Sequence, residues 1–173
     1  MISQSQNGNP DAFAALFEQY KNLVYKTAYL MLGDAAEAED ALQEVFIHVY
    51  RSLKSYDPTK GAFTTWLHRI TINHCLNRRR RRQPVYQPLD ETLASESFTI
   101  RFAEQEIVWK AVQRLSDKQR AVVILRYYND LPYAEIASIL DIPVGTVKSR
   151  LNLALRTLLD ALNTPGTEME LPI

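Results

Sequence analysis

Cysteine and glycine are scarce in this sequence of 173 residues, which has one cysteine and five glycines. The single cysteine, Cys75, excludes an internal disulfide framework, and no glycine-rich loop that could cradle a phosphate is present. No apolar run is long enough to span a bilayer, and the polar N-terminus lacks the basic and apolar regions of a secretory signal. We therefore expect a cytoplasmic protein with no membrane insertion of its own.

Residues typical of an active site are scarce as well. The three histidines, His48, His68 and His74, do not have HExxH spacing, and no second cysteine is available to complete a zinc site. Cys75 has no acid or base nearby in the sequence that would activate it as a nucleophile, so a half-buried structural thiol is expected. The sequence thus predicts no catalytic residue, no metal and no cofactor.

Charge is balanced in total but separated along the chain. Twenty basic and twenty acidic residues cancel. One block of acidic residues, however, includes no basic residue. Five arginines follow one another over residues 78–82. The members of the acidic block are Asp34, Glu37, Glu39, Asp40 and Glu44. Separated blocks of this kind create strong local fields even when the net charge is zero.

Hydrophobic periodicity predicts an all-α protein. Apolar residues recur at three- and four-residue steps in almost every segment, with capping signals at Asn9, Asp34 and Ser116. The exception is residues 83–100, where prolines, acids and hydroxyl residues show no apolar period. We therefore predict two small helical domains, residues 1–82 and 101–173, joined by a flexible linker over residues 83–100.

The segment from Pro132 to Leu162 has the pattern of a helix-turn-helix, a short helix and a longer amphipathic one joined by a tight turn. The apolar stripe of the second helix consists of Val147, Leu151, Ala154, Leu155, Leu158 and Leu162. Its polar face begins with Thr146, Lys148, Ser149, Arg150 and Asn152, side chains that can donate to phosphates and base edges. Periodicity alone favours DNA binding no more than an ordinary helical hairpin with a solvated face.

Two further segments carry candidate interfaces. From Trp66 to Arg82, aromatic and amide side chains precede the arginine run, which favours a nucleic-acid strand over a merely basic helix end but does not distinguish DNA from RNA. Asp40, Gln43 and Glu44 lie on one face of a predicted helix and suit a basic protein partner. On spacing alone, a solvated helix face is the more common outcome for such residues.

Three strings in this order resemble a known family. They are AEAEDALQEVFIHVYRSLKSYDP, FTTWLHRITINHCLNRRRRR and LSDKQRAVVILRYYNDLPYAEIASILDIPVGTVKSRLNLALRTL. The first two are similar to region 2, and the last to region 4, of the extracytoplasmic-function (ECF) sigma factors, from about Asp11 to Leu162. The resemblance implies a factor without catalytic activity that binds core RNA polymerase and recognises the −10 and −35 promoter elements. It also implies an anti-sigma partner.

The resemblance assigns roles to individual residues. Asp40, Gln43 and Glu44 match the face that binds the largest polymerase subunit. Tyr56 and Asn73 match positions at a pocket for a flipped promoter base, and Arg69, Asn77 and Arg78 match the helix that lines the −10 element. Thr146, Lys148, Ser149 and Arg150 match the start of the helix that enters the −35 major groove.

The sequence departs from the family in two places and leaves two alternatives. Leu131-Pro132 stands where the family often has a serine or threonine cap, and the loop from Tyr56 to Trp66 is one residue longer than in some relatives. A stand-alone helix-turn-helix regulator would explain Pro132 to Leu162 but not the acidic face. An RNA-binding or anti-termination protein would explain Trp66 to Arg82 but not the helix-turn-helix.

Overall fold

The computed structural model describes residues 1–82 and 101–163, so the predicted linker and the tail after Asn163 lie outside the described residues. The helices are α1 (Ile2–Gln6), α2 (Pro10–Leu32), α3 (Ala35–Ser52), α4 (Phe63–Arg82), α5 (Arg101–Arg114), α6 (Asp117–Val123), α7 (Tyr133–Leu140) and α8 (Val144–Asn163). Within these ranges there is no strand, which confirms the all-α prediction. Over the same ranges, no helix is both long and apolar enough to cross a membrane.

The predicted capping residues lie at the starts of three helices, as expected. Asn9 accepts a hydrogen bond from the Ala12 amide at the start of α2, and Asp34 does the same for Glu37 in α3. Ser116 and Gln119 form a complete capping box on α6. Gly33 ends α2 with a φ of 80°, a left-handed conformation that glycine adopts without a steric cost.

The first half of the chain packs α2, α3 and α4 around an apolar core that includes Leu16, Val24, Val45, Val49 and Leu67. Burying one such side chain contributes about 1.5–3 kcal/mol. Helix α1 was not predicted, because its residues show no apolar period. The Gln6 side chain in α1 donates hydrogen bonds to the Leu53 and Tyr56 carbonyls, at 3.0 and 2.8 Å.

The second half packs α5 to α8 around residues such as Val122, Ile136, Val147 and Leu151. Helix α6 follows the predicted cap at Ser116 and ends at Val123, and Ile124–Tyr128 form a π-helical turn. The expected apolar stripe of α8 is buried only at its start. Val147, Leu151 and Ala154 are buried, whereas Leu155 and Leu162 are 37% and 46% exposed because the described helices do not cover the end of α8.

The two halves share an apolar cluster, a contact for which the sequence contains no signal. Met31, Ile72 and Cys75 from the first half belong to the same buried cluster as Val122 and Ile136 from the second. Burial raises the pKa of the Cys75 thiol to about 12, so the thiol stays protonated and does not act as a nucleophile at neutral pH.

The buried side chain of Arg120 also connects the two halves, at the junction formed by the shared apolar cluster. It is 1% exposed, and its guanidinium donates to the carbonyls of Met31 at 2.9 Å, Val112 at 3.2 Å and Leu115 at 3.0 Å, and also to that of Gln113. The carbonyl of Met31 belongs to the last turn of α2, and the other three lie in or just after the last turn of α5. Arg120 therefore satisfies helix-terminal carbonyls in both halves of the molecule.

Burial of two histidines makes the stability depend on pH. His68 is 2% exposed, and burial lowers the pKa of His68 and of His74 below the ordinary value of 6.5. The unfolded chain therefore takes up protons near pH 6.5 that the folded chain does not, and stability is lost as the pH falls below that value. We expect the free energy of unfolding, measured in urea, to be lower at about pH 5.5 than at about pH 7.5. The upper limit is roughly 1.4 kcal/mol per pH unit for each proton that only the unfolded chain binds.

His68→Gln tests this explanation, since the variant removes the more deeply buried of the two imidazoles. Its unfolding free energy should depend less steeply on pH than that of the wild type. His48→Gln, at an exposed position, is the matched control for the loss of an imidazole. Equal pH slopes for His68→Gln and the wild type would contradict the assignment.

Candidate nucleic-acid and protein interfaces

The acidic face of α3 is exposed. Its predicted members Asp40, Gln43 and Glu44 all lie at the surface, and the side chains of Asp40 and Glu44 are 62% and 55% exposed. Ile47, one turn beyond Gln43, is 50% exposed and adds an apolar side chain to the same region. The structure thus brings the three residues together in a surface that suits a basic protein partner.

Arg78 lies against this acidic face and not with the other predicted DNA contacts. Its Nε is 2.9 Å from Glu37 Oε2, its Nη2 is 3.1 Å from Asp40 Oδ2, and its Nη1 is 3.3 Å from Glu44 Oε1. The Arg78 side chain is 22% exposed, so the guanidinium is partly withdrawn from solvent. It therefore connects α4 to three acids of α3.

His74 is a neighbour of the same face. Its Nε2 is 3.2 Å from Glu44 Oε2, but the two atoms are not aligned for a hydrogen bond. Burial lowers the pKa of His74, the Glu44 carboxylate raises it less, and Arg78 lowers it further. His74 is consequently neutral near pH 7, whereas Arg78 places a positive charge beside the three acids.

An exposed polar stripe runs along α4. Arg69, Asn73 and Asn77 lie four residues apart, on one side of the helix, and all three are exposed. Arg80 continues the stripe three residues later and is exposed too. Arg80 was missed as an individual candidate, although its spacing from Asn77 would have identified it.

The five arginines do not act as one patch, because successive helix positions point about 100° apart. Arg78 faces α3, and Arg79 forms an ion pair with Asp117 and donates to the Met31 carbonyl at 3.3 Å. Arg80 and Arg81 are exposed. Part of the basic run therefore stabilises the fold, and part is available to a nucleic acid.

A cavity of about 220 Å³ lies where the loop after α3 meets α4. Tyr56, Trp66 and Arg69 contribute to its wall. Tyr56 is 8% exposed, its ring centroid lies 5.3 Å from that of Trp66, and its hydroxyl donates to the Gly61 carbonyl at 2.9 Å. Asn73 lies one turn farther along α4 and is not part of the wall.

Helix α7 of the second half covers the edge of this cavity. The Arg69 guanidinium donates to the Ser138 carbonyl, and Ser138 belongs to the cavity wall. Thr65 Oγ1 donates to Glu135 Oε1 at 2.5 Å. In this arrangement, Arg69 is held by the second half of the chain.

Helices α7 and α8 form the predicted helix-turn-helix. The turn begins at Asp141, whose φ of 53° reverses the chain, and α8 starts at Val144. Lys148 and Ser149 are exposed, and Thr146 and Arg150 are half-buried, in the first two turns of α8. The four predicted contacts to a major groove are thus brought together at the start of one helix.

The comparisons with known proteins agree with this geometry. A family model described as Sigma-70 region 2 matches residues 16–85, and one described as Sigma-70, region 4 matches residues 105–158. The chain is 35% identical over 167 residues to the ECF RNA polymerase sigma factor SigW of Bacillus subtilis, covering 87% of this chain and 89% of that protein. It is 32% identical over 169 residues to the ECF RNA polymerase sigma-E factor of Escherichia coli, covering 87% and 86%.

Solved structures share the fold. The structure of CnrH in complex with the cytosolic domain of CnrY matches with a TM-score of 0.73 at 21% identity, over 95% of this chain and 96% of that one. The sigma factor RpoE of Bartonella quintana, solved with the anti-sigma factor NepR, matches with a TM-score of 0.72 at 20% identity, over 89% and 98%.

Proposed function

The chain belongs to the ECF sigma factors and directs promoter-specific transcription, and from this premise we propose which task each part of it performs. Residues 1–82 bind core RNA polymerase and capture and open the −10 element. Residues 101–173 read the −35 element, and residues 83–100 link the two. Sigma factors are DNA-binding initiation factors and not enzymes, and this one has no catalytic activity of its own.

Polymerase binding is assigned to Asp40, Gln43 and Glu44. The exposure of all three on one face of α3 is the observation that carries this assignment. Two carboxylates on a rigid helix attract a basic surface and set its register, while the amide of Gln43 adds a hydrogen bond without a charge. The family resemblance identifies this partner surface as the coiled coil of the largest polymerase subunit.

Recognition of the −10 element is assigned to the cavity beside Tyr56 and to the stripe formed by Arg69, Asn73 and Asn77. Extruding a promoter base costs a few kcal/mol, which stacking and hydrogen bonds to its Watson–Crick edge offset. Trp66 and Tyr56 supply aromatic surface, and Arg69 supplies positive charge for the strand. Base capture by Arg69 requires its side chain to leave the Ser138 carbonyl.

Recognition of the −35 element is assigned to the first two turns of α8. Thr146 and Ser149 are suited to phosphates and sugars, whereas Lys148 and Arg150 reach acceptor edges of bases in the major groove. Each half alone binds DNA weakly. Tethering them on one chain raises the affinity for promoters whose two elements are correctly spaced.

A regulatory partner and a compartment are also proposed. CnrH and Bartonella RpoE were solved with CnrY and with the anti-sigma factor NepR, respectively, which supports an anti-sigma partner for this chain too. Such a partner would cover surfaces needed for polymerase or promoter binding. The chain acts where the polymerase is, in the cytoplasm.

Arg150→Ala tests the assignment of α8. If Arg150 reads a guanine, the variant loses about 1–3 kcal/mol of discrimination at one −35 position. A promoter-library transcription assay with reconstituted holoenzyme measures the preference at every position. Asn73→Ala is the matched comparison, since it should relax preference at −10 and leave −35 unchanged. An unaltered −35 preference for Arg150→Ala would argue against the assignment.

A stand-alone helix-turn-helix regulator is not favoured. It would explain the second half of the chain only, whereas the matched family regions extend over both halves. It also predicts that the acidic face of α3 has no effect on function, which charge reversal at that face tests directly.

A further inference from the structure

We propose that Arg78 is a positioning residue for the polymerase-binding face of α3 and not a contact to promoter DNA. The inference rests on the proposed role of Asp40 and Glu44 in binding polymerase. It differs from the sequence-based expectation, in which Arg78 lines the −10 element together with Arg69 and Asn77. The direction of the Arg78 side chain is what separates it from these two residues.

The guanidinium of Arg78 has the shape needed to hold several carboxylates at once. It presents N–H groups in a rigid planar fork, and three of its nitrogens each lie 2.9 to 3.3 Å from a different acid. The acids occupy positions 37, 40 and 44, which lie along one side of α3. One side chain from α4 therefore holds a row of acids about two helical turns long.

The three acids differ in burial, and this difference suggests different tasks. The side chain of Glu37 is 13% exposed, so it anchors Arg78 within the packed surface between α3 and α4. Asp40 and Glu44 are 62% and 55% exposed and remain accessible to a partner. Anchored by Glu37, Arg78 fixes the orientation of the two accessible carboxylates.

Fixing these carboxylates favours binding in two ways. Without a cation between them, like charges on one helix face repel one another and disperse into solvent. A partner must then pay the cost of immobilising both side chains when it binds. With Arg78 in place, part of that ordering already exists in the free protein.

Positioning by Arg78 and attraction by net charge predict opposite changes in the Kd for core polymerase when Arg78 is removed. Removing Arg78 makes the face more negative, so an attraction governed only by charge would become stronger toward a basic partner. Loss of positioning makes binding weaker. The direction of the change in Kd for core polymerase thus separates the two explanations.

Replacing Arg78 removes no member of the exposed polar stripe along α4. Arg69, Asn73, Asn77 and Arg80 are exposed on another side of α4. Replacing Arg78 should therefore leave the base preference at −10 unchanged, whereas a DNA contact would alter promoter binding and leave binding to core polymerase unchanged.

The experiment measures Kd for core RNA polymerase in the absence of DNA, using the full chain. We expect Arg78→Ala to raise Kd about tenfold and Arg78→Lys to raise it less, because lysine keeps the charge but lacks the fork. Arg114→Ala, which removes the same charge from an exposed position of α5, is the control and should change Kd by less than about twofold. The circular dichroism spectrum of Arg78→Ala should match that of the wild type, and so should the −10 base preference of a holoenzyme that contains this variant.

A double-mutant cycle with Glu37→Gln strengthens the test, because Glu37 is not assigned to the polymerase contact. Glu37→Gln should also weaken polymerase binding, and the double variant Glu37→Gln/Arg78→Ala should be little worse than Arg78→Ala alone. If Arg78→Ala does not fold, Arg78→Lys and Glu37→Gln supply the same comparison.

Distinct outcomes separate the inference from the proposed function. An unchanged or lower Kd for Arg78→Ala, in a wild type that binds polymerase through Asp40 and Glu44, overturns the inference alone. A wild type that does not bind polymerase, or that binds equally well after charge reversal at Asp40 and Glu44, overturns the assignment of the face and the inference with it.

Discussion

Replacing Asp40 and Glu44 together with lysine is expected to weaken binding to core RNA polymerase by about 100-fold or more. Reversing both charges removes two attractive contacts and places like charges opposite a basic surface, which costs several kcal/mol. Both side chains are more than half exposed, so the lysines reach solvent, and Arg78 keeps Glu37 as its partner. Equilibrium binding to core polymerase without DNA measures the effect directly.

A matched control separates local from total charge. Asp11→Lys with Glu18→Lys makes the same change in net charge in the same half of the chain, at two exposed positions of α2 outside the proposed face. It should leave Kd within about threefold of the wild type, and both double variants should remain helical. Polymerase binding that survives the Asp40 and Glu44 reversal would refute the assigned face.

Arg120→Ala is expected to destabilise the protein by about 3 kcal/mol or more. The buried guanidinium donates to four backbone carbonyls. After its loss the Met31 carbonyl keeps Arg79 as a donor and the Val112 carbonyl keeps the Leu115 amide, whereas the carbonyls of Gln113 and Leu115 lose this donor at a cost of about 1–3 kcal/mol each. Desolvation lowers the pKa of Arg120 to about 10, yet the group stays charged at neutral pH. Urea unfolding followed by circular dichroism gives the free energy.

The control for this variant is Arg114→Ala, at an exposed position near the end of α5. It should change the free energy of unfolding by no more than about 0.5 kcal/mol. Since Arg120 donates to carbonyls in both halves, its loss should also loosen the junction between them. A loss below about 1 kcal/mol for Arg120→Ala would contradict the role given to this side chain.

Local signals in the sequence predicted most of the secondary structure. Caps at Asn9, Asp34 and Ser116 are read from a few neighbouring residues, and each is found where it was predicted. The same signals did not predict α1, which is held by long-range bonds from Gln6 to the Leu53 and Tyr56 carbonyls. The π-helical turn at Ile124–Tyr128 also has no signature in the apolar period.

The candidate interfaces were predicted in part, and the reason is geometric. Spacing placed Asp40, Gln43 and Glu44 on one face, whereas Arg69, Asn73 and Asn77 were identified only through the family resemblance. An uninterrupted run of arginines, in contrast, has no spacing that tells its members apart. Which of them faces α3, the second half or solvent depends on how α4 packs, and packing is a property of the whole fold.

The apolar cluster shared by the two halves is the largest feature that the sequence pattern did not predict. Periodicity identifies which face of a helix is buried but not which helix covers it. Met31 and Ile72 would serve equally well in the core of the first half alone, yet they pack in the same cluster as Val122 and Ile136. Only the folded arrangement shows that α7 lies beside the cavity near Tyr56.

The measurement that tests the central claim most directly is transcription by bacterial core polymerase on fragmented genomic DNA of the source organism, with and without this protein. Mapping the 5′ ends of the transcripts identifies the start sites. The account predicts new starts that share spaced −35 and −10 elements and that disappear with the Asp40 and Glu44 reversal. The absence of new starts, together with no binding of the wild-type protein to core polymerase, would contradict it.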